Sequence, residues 1–358
     1  MAKNPLPIPN IARRTAEQGS GDTLPTHGIC ARLRFNLRFL PILTERPNTK
    51  AFSKGQKHDL IGRFDRILST IGISRAQDFT DLKPSPQALE WQDLEFGVLI
   101  HFAPNTFLGE GWGDGTASPS TFKPTQFDPE QWLKAIKSAG ARYVVMVAKH
   151  HDGFCLWPTN QTEYSVKSSP WKNGGGDVVG EVVAAARKNG LKVGMYFSPW
   201  DRHEPRYSNS AQYDIYYMAE MDELIQRYGD LVEWWLDGAS SAGHVYNFAR
   251  YIEELRTYQP NTLVFADMAL FEYGDIRWTG NEDGIIPYEN WNVIDRHGFI
   301  RWRPVEADTP LRKGHWFWSP NAEDTLKSVA ELLATYDETV GRGGQLVLGV
   351  ARHAGSAS

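Results

Sequence analysis

The stretch VAKHHDGFCLW, residues 147–157, sets two imidazoles, His150 and His151, directly before the carboxylate of Asp152. Groups so arranged suit three roles: a metal site, hydrogen-bonding groups aimed at a polar substrate, or plain structure. A second stretch, WWLDG (234–238), ends an apolar run with Asp237 behind two tryptophans. An Asp-Gly pair taken alone merely opens a turn. Here it follows aromatics at the end of a run, and a later run, DIRWTGNE (275–282), ends in another carboxylate, Glu282. Two carboxyl groups facing each other across a pocket suit glycosidic bond cleavage. One attacks or stabilises the anomeric carbon and the other protonates the leaving oxygen. The protonating group keeps its proton near neutral pH only in a less polar setting or beside a negative charge.

Such groups act together only if secondary structure brings them together. From about residue 86, short apolar runs alternate with helical patterns. The strand candidates are FGVLIHF (96–102), YVVMVAKH (143–150), LKVGMYFSPW (191–200), LVEWWLDG (231–238), TLVFAD (262–267), DIRWTGNE (275–282), GHWFWS (314–319) and GQLVLGV (344–350). Apolar runs without alternation suit strands buried on both faces of a parallel sheet. Between them, DPEQWLKAIKSAG (128–140) carries an Asp cap, a proline at the first helical position and a glycine at its end. DVVGEVVAAARKNG (177–190) repeats that logic. AQYDIYYMAEMDELIQRYG (211–229), HVYNFARYIEELRTY (244–258) and AEDTLKSVAELLATYDETVG (322–341) complete the helices, and PSPQALEWQDLE adds a short one with Ser85 as its cap. Eight strand-then-helix units over residues 96–350 match the ~250 residues of a (β/α)8 barrel. The fold class is therefore α/β, a TIM-like barrel spanning residues 86–352. A doubly wound open sheet is the alternative. It calls for a Gly-rich phosphate turn after the first strand, where the chain instead reads HFAPNTF.

In a barrel, chemistry collects at the C-terminal ends of the strands. Those ends carry His101, His150, His151, Tyr196, Trp200, Asp237, Asp267, Arg277, Glu282, Trp316 and Trp318. No lysine is placed for a Schiff base, and the glycines at 174–176 match no phosphate-loop pattern.

Composition narrows the function. The 358 residues are 41% hydrophobic and 23% charged, ordinary for a globular chain. A net charge of −5 offers no basic face to nucleic acid or an anionic membrane. Aromatic residues make up 12% of the chain, which suits either sugar-stacking sites or a large core. Two cysteines, Cys30 and Cys155, exclude a multi-disulfide framework and a Cys-based zinc site. No stretch reaches the ~20 apolar residues of a membrane span, and no secretory-signal pattern opens the chain. Residues 1–85 carry Arg13, Arg14, Arg32, Arg34, Arg38 and Arg46, several prolines and no sustained period. They are expected to be a disordered or processed extension, with residues 353–358 a short tail. Compartment and oligomeric state are not fixed at this level.

The collinear series HFAPNTF (101–107), WGDG (112–115), FKPTQFD (122–128), AKHHDGFCLW (148–157), YFSPWDRH (196–203), WWLDG, DIRWTGNE and GHWFWSPNAED (314–324) resembles the catalytic domain of the α-L-fucosidases, glycoside hydrolase family 29. The match runs from about Trp91 to Val350, and DIRWTGNE is similar to the subgroup acting on α-1,3/4-fucosyl linkages. The resemblance implies a retaining exo-glycosidase. It would remove terminal α-L-fucose from a fucosylated oligosaccharide or glycoconjugate through a covalent fucosyl-enzyme. It implies Asp237 as nucleophile and Glu282 as acid/base, with carboxyl groups ~5–5.5 Å apart; Glu289 is the runner-up acid. It further implies that His101, His150 and His151 bind fucose hydroxyls, that Tyr196 and Arg277 line the same pocket, and that Trp112 and Trp316 pack on the sugar. No metal or other cofactor is implied.

Two departures from the family pattern bear on this. Gly111 stands where related sequences usually carry Glu, with Glu110 one position further back. The family also continues into a C-terminal β-sandwich, whereas this chain reaches Ser358 just past the eighth strand. The expectation is a barrel without the sandwich, with apolar surface left uncovered. Two other readings stand beside the fucosidase. One is an inactive or sugar-binding barrel remnant. The other is a metal-dependent barrel hydrolase using His101, His150, His151 and Asp237. Against the latter, His101 is alone on its strand, and adjacent histidines on a strand point to opposite faces unless the strand ends there.

Overall fold

The structure is a computed structural model that describes residues 82–353 apart from 239–240, 242, 267–273, 291 and 293–300. Eight parallel strands form a closed barrel in chain order. They are β1 (Phe96–His101), β2 (Tyr143–Lys149), β3 (Lys192–Phe197), β4 (Glu233–Trp235), β5 (Leu263–Ala266), β6 (Ile276–Trp278), β7 (Val305–Pro310) and β8 (Gln345–Ala351). Closure is made by β1 on β8, with Phe96 beside Leu346 and His101 beside Ala351. The expected (β/α)8 barrel is the fold observed. Asp267, Cys30, the extension up to residue 81 and the tail from 354 lie outside the described residues.

Six strands fall within the expected segments and β8 runs one residue past its own, while the seventh in order lies elsewhere. GHWFWS was expected as the seventh, but residues 314–319 form a loop, and the strand is VEADTP at Val305–Pro310. Alternation explains the difference. Val305 and Ala307 cluster with Ile286, while Glu306 and Asp308 turn into the barrel. There Tyr143 Oη donates to Glu306 Oε2 at 3.1 Å and Trp278 Nε1 donates to Asp308 Oδ1 at 2.6 Å. A strand with its polar residues inward and its small apolar residues outward inverts the usual signal, so it reads as loop.

The helices begin where capping side chains stand. Ser85 Oγ accepts from Ala88 N at 3.1 Å ahead of α1 (Pro86–Gln92). A short helix, α2 (Pro104–Leu108), follows β1. Asp128 caps α3 (Pro129–Ser138) and Asp177 caps α4 (Val178–Lys188), each through a carboxylate that accepts from a first-turn N–H. Asn209 caps α5 (Ser210–Arg227) with its amide oxygen, which accepts from Gln212 N. The next two start later than the sequence suggested. Asn247 caps α6 (Phe248–Tyr258), and a Ser328–Glu331 capping box opens α7 (Val329–Thr339). Among the described residues no helix is long and apolar enough to cross a membrane.

Two cores result. Val144, Met146 and Ala148 on the outer face of β2 pack with Trp132, Val182 and Leu224 of the surrounding helices. Inside, Leu99, Val145, Val147, Tyr196, Trp235 and Phe265 fill the barrel. Trp91 of α1 closes the N-terminal end, where its Nε1 donates to Glu233 Oε2 at 2.7 Å and its carbonyl accepts from Gln345 Nε2 at 2.9 Å. Gly97 is required by this filling, because a Cβ there would lie 2.3 Å from the Tyr143 ring. The barrel is thus packed from its N-terminal end, and its open space lies at the C-terminal end.

Candidate active site

That end holds a cavity of about 260 Å³, lined by His101, Trp112, His150, His151, Tyr196, Trp200, Trp235, Asp237, Trp278, Glu282, Asp308 and Trp316 among others. The two adjacent histidines reach it through a defect in β2. Regular alternation, with Val145 and Val147 inward and Ala148 outward, would send Lys149 into the barrel. Instead the β2–β3 register shifts between Val147 and Lys149. Lys149 turns out toward α5, where Nζ meets Glu220 Oε2 at 2.6 Å and Asp201 Oδ2 at 3.1 Å. The bulge frees His150 for the inner side. The strand ends at Lys149, so His151, in the following turn, reaches the cavity as well.

Burial decides the charge of the three histidines. Loss of water pushes His101 down to about 3, helped by His151. It pushes His150 well below the usual histidine range, with His151 and His101 adding to the effect. It lowers His151 too, against the pull of Asp237. Neutral imidazoles carry one donor and one acceptor nitrogen each, which suits sugar hydroxyls. Nδ1 of His101 and of His150 is buried without a hydrogen-bond partner among the described residues. The His150 ring lies parallel to Tyr196, with centroids 5.7 Å apart.

Asp237 sits in the turn just past β4, its side chain 40% exposed. Its Oδ2 accepts from Tyr196 Oη at 2.7 Å and lies 3.5 Å from His151 Nε2. Ser198, just past the end of β3, braces the arrangement. Its hydroxyl pairs with His151 Nδ1 at 2.7 Å and donates to the Asp237 carbonyl at 3.1 Å. Gly238 makes the turn with φ of +81°, and a Cβ there would lie 2.8 Å from His151 Cε1. Gly238→Ala is therefore expected to destabilise the protein by about 1–3 kcal/mol through backbone strain and the clash with His151. Equilibrium unfolding of the two proteins measures this, and an unchanged midpoint would contradict it.

Glu282 stands in the exposed loop beyond β6, its Oε2 accepting from Trp316 Nε1 at 3.0 Å. Trp316 leans on His101, with ring centroids 5.3 Å apart, and fits over Gly349, where a Cβ would come within 2.3 Å of its ring. Trp112 forms the rim. It is 55% exposed and meets His151 and Trp200 edge to face. Three described residues named from the sequence, Arg277, Trp318 and Glu289, are not among those lining the cavity. Arg277 is half-buried and hydrogen bonds through Nη2 to Asn290 Oδ1. Glu289 is exposed. Gly111 has open space around its Cα, so nothing in the packing demands glycine there.

Sequence reasoning missed Asp308, because β7 was placed elsewhere, and it did not single out Trp278, Trp235 or Phe265. The signal for Asp308 was the period-two pattern in VEADT, with Val and Ala alternating against Glu and Asp. Burial pushes the Asp308 carboxyl up to about 8; the Trp278 hydrogen bond opposes this, and the charges of Glu282 and Asp237 add to it. Among the described residues no group of three or more His, Cys, Asp or Glu side chains is arranged to hold a metal ion.

Comparison with known proteins adds context to this geometry. The family model described as Alpha-L-fucosidase matches residues 112–356. Alpha-L-fucosidase 1 of Arabidopsis thaliana is 39% identical over 287 residues, covering 75% of this chain and 55% of the relative. The crystal structure of a glycoside hydrolase 29 family member from an unknown rumen bacterium superposes with a TM-score of 0.70 at 37% identity, over 75% of this chain and 53% of that one. A Ruminococcus gnavus GH29 fucosidase in complex with fucose superposes with a TM-score of 0.69 at 29% identity, over 77% of this chain and 66% of that one. The chain spans about half the length of the curated relatives it matches.

Proposed function

Because the chain belongs to the α-L-fucosidase family, we propose that it is a retaining exo-glycosidase that releases terminal α-L-fucose from fucosylated glycans. The observation that carries this reading is the pair Asp237 and Glu282. They line one cavity with three buried neutral histidines, and each carboxylate is oriented by a ring donor, Tyr196 Oη and Trp316 Nε1 respectively. At about 260 Å³ the cavity falls below the ~300–1,000 Å³ of pockets for drug-sized ligands, so it suits one sugar ring at a chain end. The fucose complex of the Ruminococcus gnavus relative supports the choice of sugar.

In the mechanism that follows, His101, His150 and His151 hold sugar hydroxyls. Tyr196 aims the Asp237 carboxylate at the anomeric carbon, and its oxygen forms the bond to that carbon as the glycosidic C–O bond breaks. Glu282 gives its proton to the departing oxygen. Water then attacks the glycosyl ester, loses a proton to Glu282, and restores Asp237. This double displacement asks for carboxyl groups ~5–5.5 Å apart. Trp112 and Trp316 pack against the sugar, and Arg277 acts at the edge of the site through its neighbours. We place this chemistry in the barrel of residues 86–352. On the resemblance of DIRWTGNE, we take α-1,3/4-linked fucose on branched glycans as the substrate.

The purified chain tests this on α-1,2-, α-1,3- and α-1,4-fucosylated oligosaccharides, with the released sugar followed by proton NMR. Fucose should appear first as the α-anomer, and faster from the α-1,3- and α-1,4-linked substrates. Initial release of the β-anomer would overturn the retaining mechanism, and no release from any of them would overturn the activity.

A further inference from the structure

Strand β7 brings a third carboxyl group to the cavity. Asp308 is 6% exposed and lines the same space as Asp237 and Glu282. In a closed ring of eight strands, β7 stands opposite β3. Asp308 therefore looks across the barrel toward Tyr196, the phenol that holds Asp237. Its Oδ1 accepts from Trp278 Nε1 on the adjacent strand at 2.6 Å, which fixes the carboxyl group. No side chain among the described residues hydrogen bonds its Oδ2.

We propose that Asp308 contacts a sugar hydroxyl in this cavity, as a positioned donor and acceptor rather than as acid, base or nucleophile of the bond cleavage. The inference rests on the α-L-fucosidase reading above.

Its chemistry follows from its surroundings. Burial raises its affinity for a proton up to about 8, with the Trp278 bond opposing and Glu282 and Asp237 reinforcing. The other titratable groups coupled to it are Tyr196 on β3 and Glu306, two residues earlier on β7. All of these groups are acidic, so none favours a charge on Asp308. A protonated carboxyl accepts with one oxygen and donates with the other. The Trp278 N–H takes the accepting oxygen, leaving Oδ2 to carry the proton into the cavity. A neutral carboxyl is a poor nucleophile, which leaves attack to Asp237. Glu282, in the exposed loop, is the group that meets the leaving oxygen.

Asp308→Asn and Asp308→Ala test this, with kcat and KM on an aryl α-L-fucoside, Kd for L-fucose by calorimetry, and thermal melts as the fold check. Asparagine copies the shape and the donor–acceptor pair of the neutral acid. At pH 6, Asp308→Asn should stay within about threefold of wild type in kcat/KM, while Asp308→Ala should lose about tenfold in kcat/KM and in fucose affinity. On an activated aryl fucoside, whose departure needs no proton from Glu282, wild-type kcat/KM should also fall as pH rises through about 8, where Asp308 loses its proton, and this alkaline limb should be missing from Asp308→Asn. Unchanged affinity in Asp308→Ala, inactivation of a folded Asp308→Asn, or an alkaline limb that persists in it would each overturn the proposal. If Asp308→Ala does not fold, the asparagine variant and its pH profile decide. A wild-type chain that neither binds fucose nor cleaves the fucoside sinks the fucosidase reading and this proposal with it. An active wild type with an unaffected Asp308→Ala sinks this proposal alone.

Discussion

Replacing Asp237 with alanine should lower kcat on an aryl α-L-fucoside by about 10⁴-fold, because in the proposed double displacement Asp237 forms the ester to the anomeric carbon. Tyr196 Oη and His151 both converge on Asp237 Oδ2, so the variant also frees a phenol and an imidazole without filling the space. A steady-state assay with matched melting curves separates lost chemistry from lost fold, and unchanged turnover would end the assignment. Glu282→Ala should behave differently. Glycans with poor leaving groups should lose about 10²–10⁴-fold, while an activated aryl fucoside, whose departure needs no proton, should lose much less in its first step. Equal losses on both substrates would remove Glu282 as the acid.

The second large effect concerns stability. Lys149 is fully buried, its ammonium held by Glu220 Oε2 at 2.6 Å and Asp201 Oδ2 at 3.1 Å. Phe197, Tyr216 and Tyr217 present their ring faces to it. Burial alone would lower its affinity for a proton, but Glu220 and then Asp201 more than reverse that, so it stays charged. Lys149→Met leaves two buried carboxylates without their cation. It should cost about 3–5 kcal/mol, or a fall in Tm of roughly 10 °C. Denaturant unfolding measures the first and calorimetry the second; a loss under about 1 kcal/mol would show that the cluster contributes little. The double variant Lys149→Met/Glu220→Gln should recover part of the loss, because it removes one of the stranded charges. The same lysine fixes the bulge that precedes His150. The folded fraction of the single variant should therefore also bind fucose more weakly.

Much of the fold was legible locally. Capping residues such as Ser85, Asp128 and Asp177 sit where the helices begin, and runs such as YVVMVAK are buried throughout, as a sheet covered on both faces requires. The site was legible through the ends of those runs. In a barrel, every strand end lies on one rim, so position along the chain converts directly into position in space. His101, His150, His151, Tyr196, Asp237, Glu282 and Trp316 were named on that basis and line one cavity, as does Trp112. GHWFWS shows the limit of the method, for it is a loop whose Trp316 nonetheless reaches the cavity.

By itself, then, the sequence determined the parallel barrel, the rim on which its polar residues gather and the two carboxylates among them, because runs, caps and strand ends are properties of neighbouring residues. Only the tertiary structure decided which strand carries Asp308. Glu306 and Asp308 can face inward because Tyr143, 163 positions away, and Trp278, 30 positions away, donate to them. Only the structure decided that Lys149 turns outward to Glu220, 71 positions on, and so sends His150 inward. It also decided that the three histidines are neutral and that Arg277 pairs with Asn290. Charge state and side-chain direction depend on burial and on partners distant in sequence, and neither exists until the chain has closed the barrel.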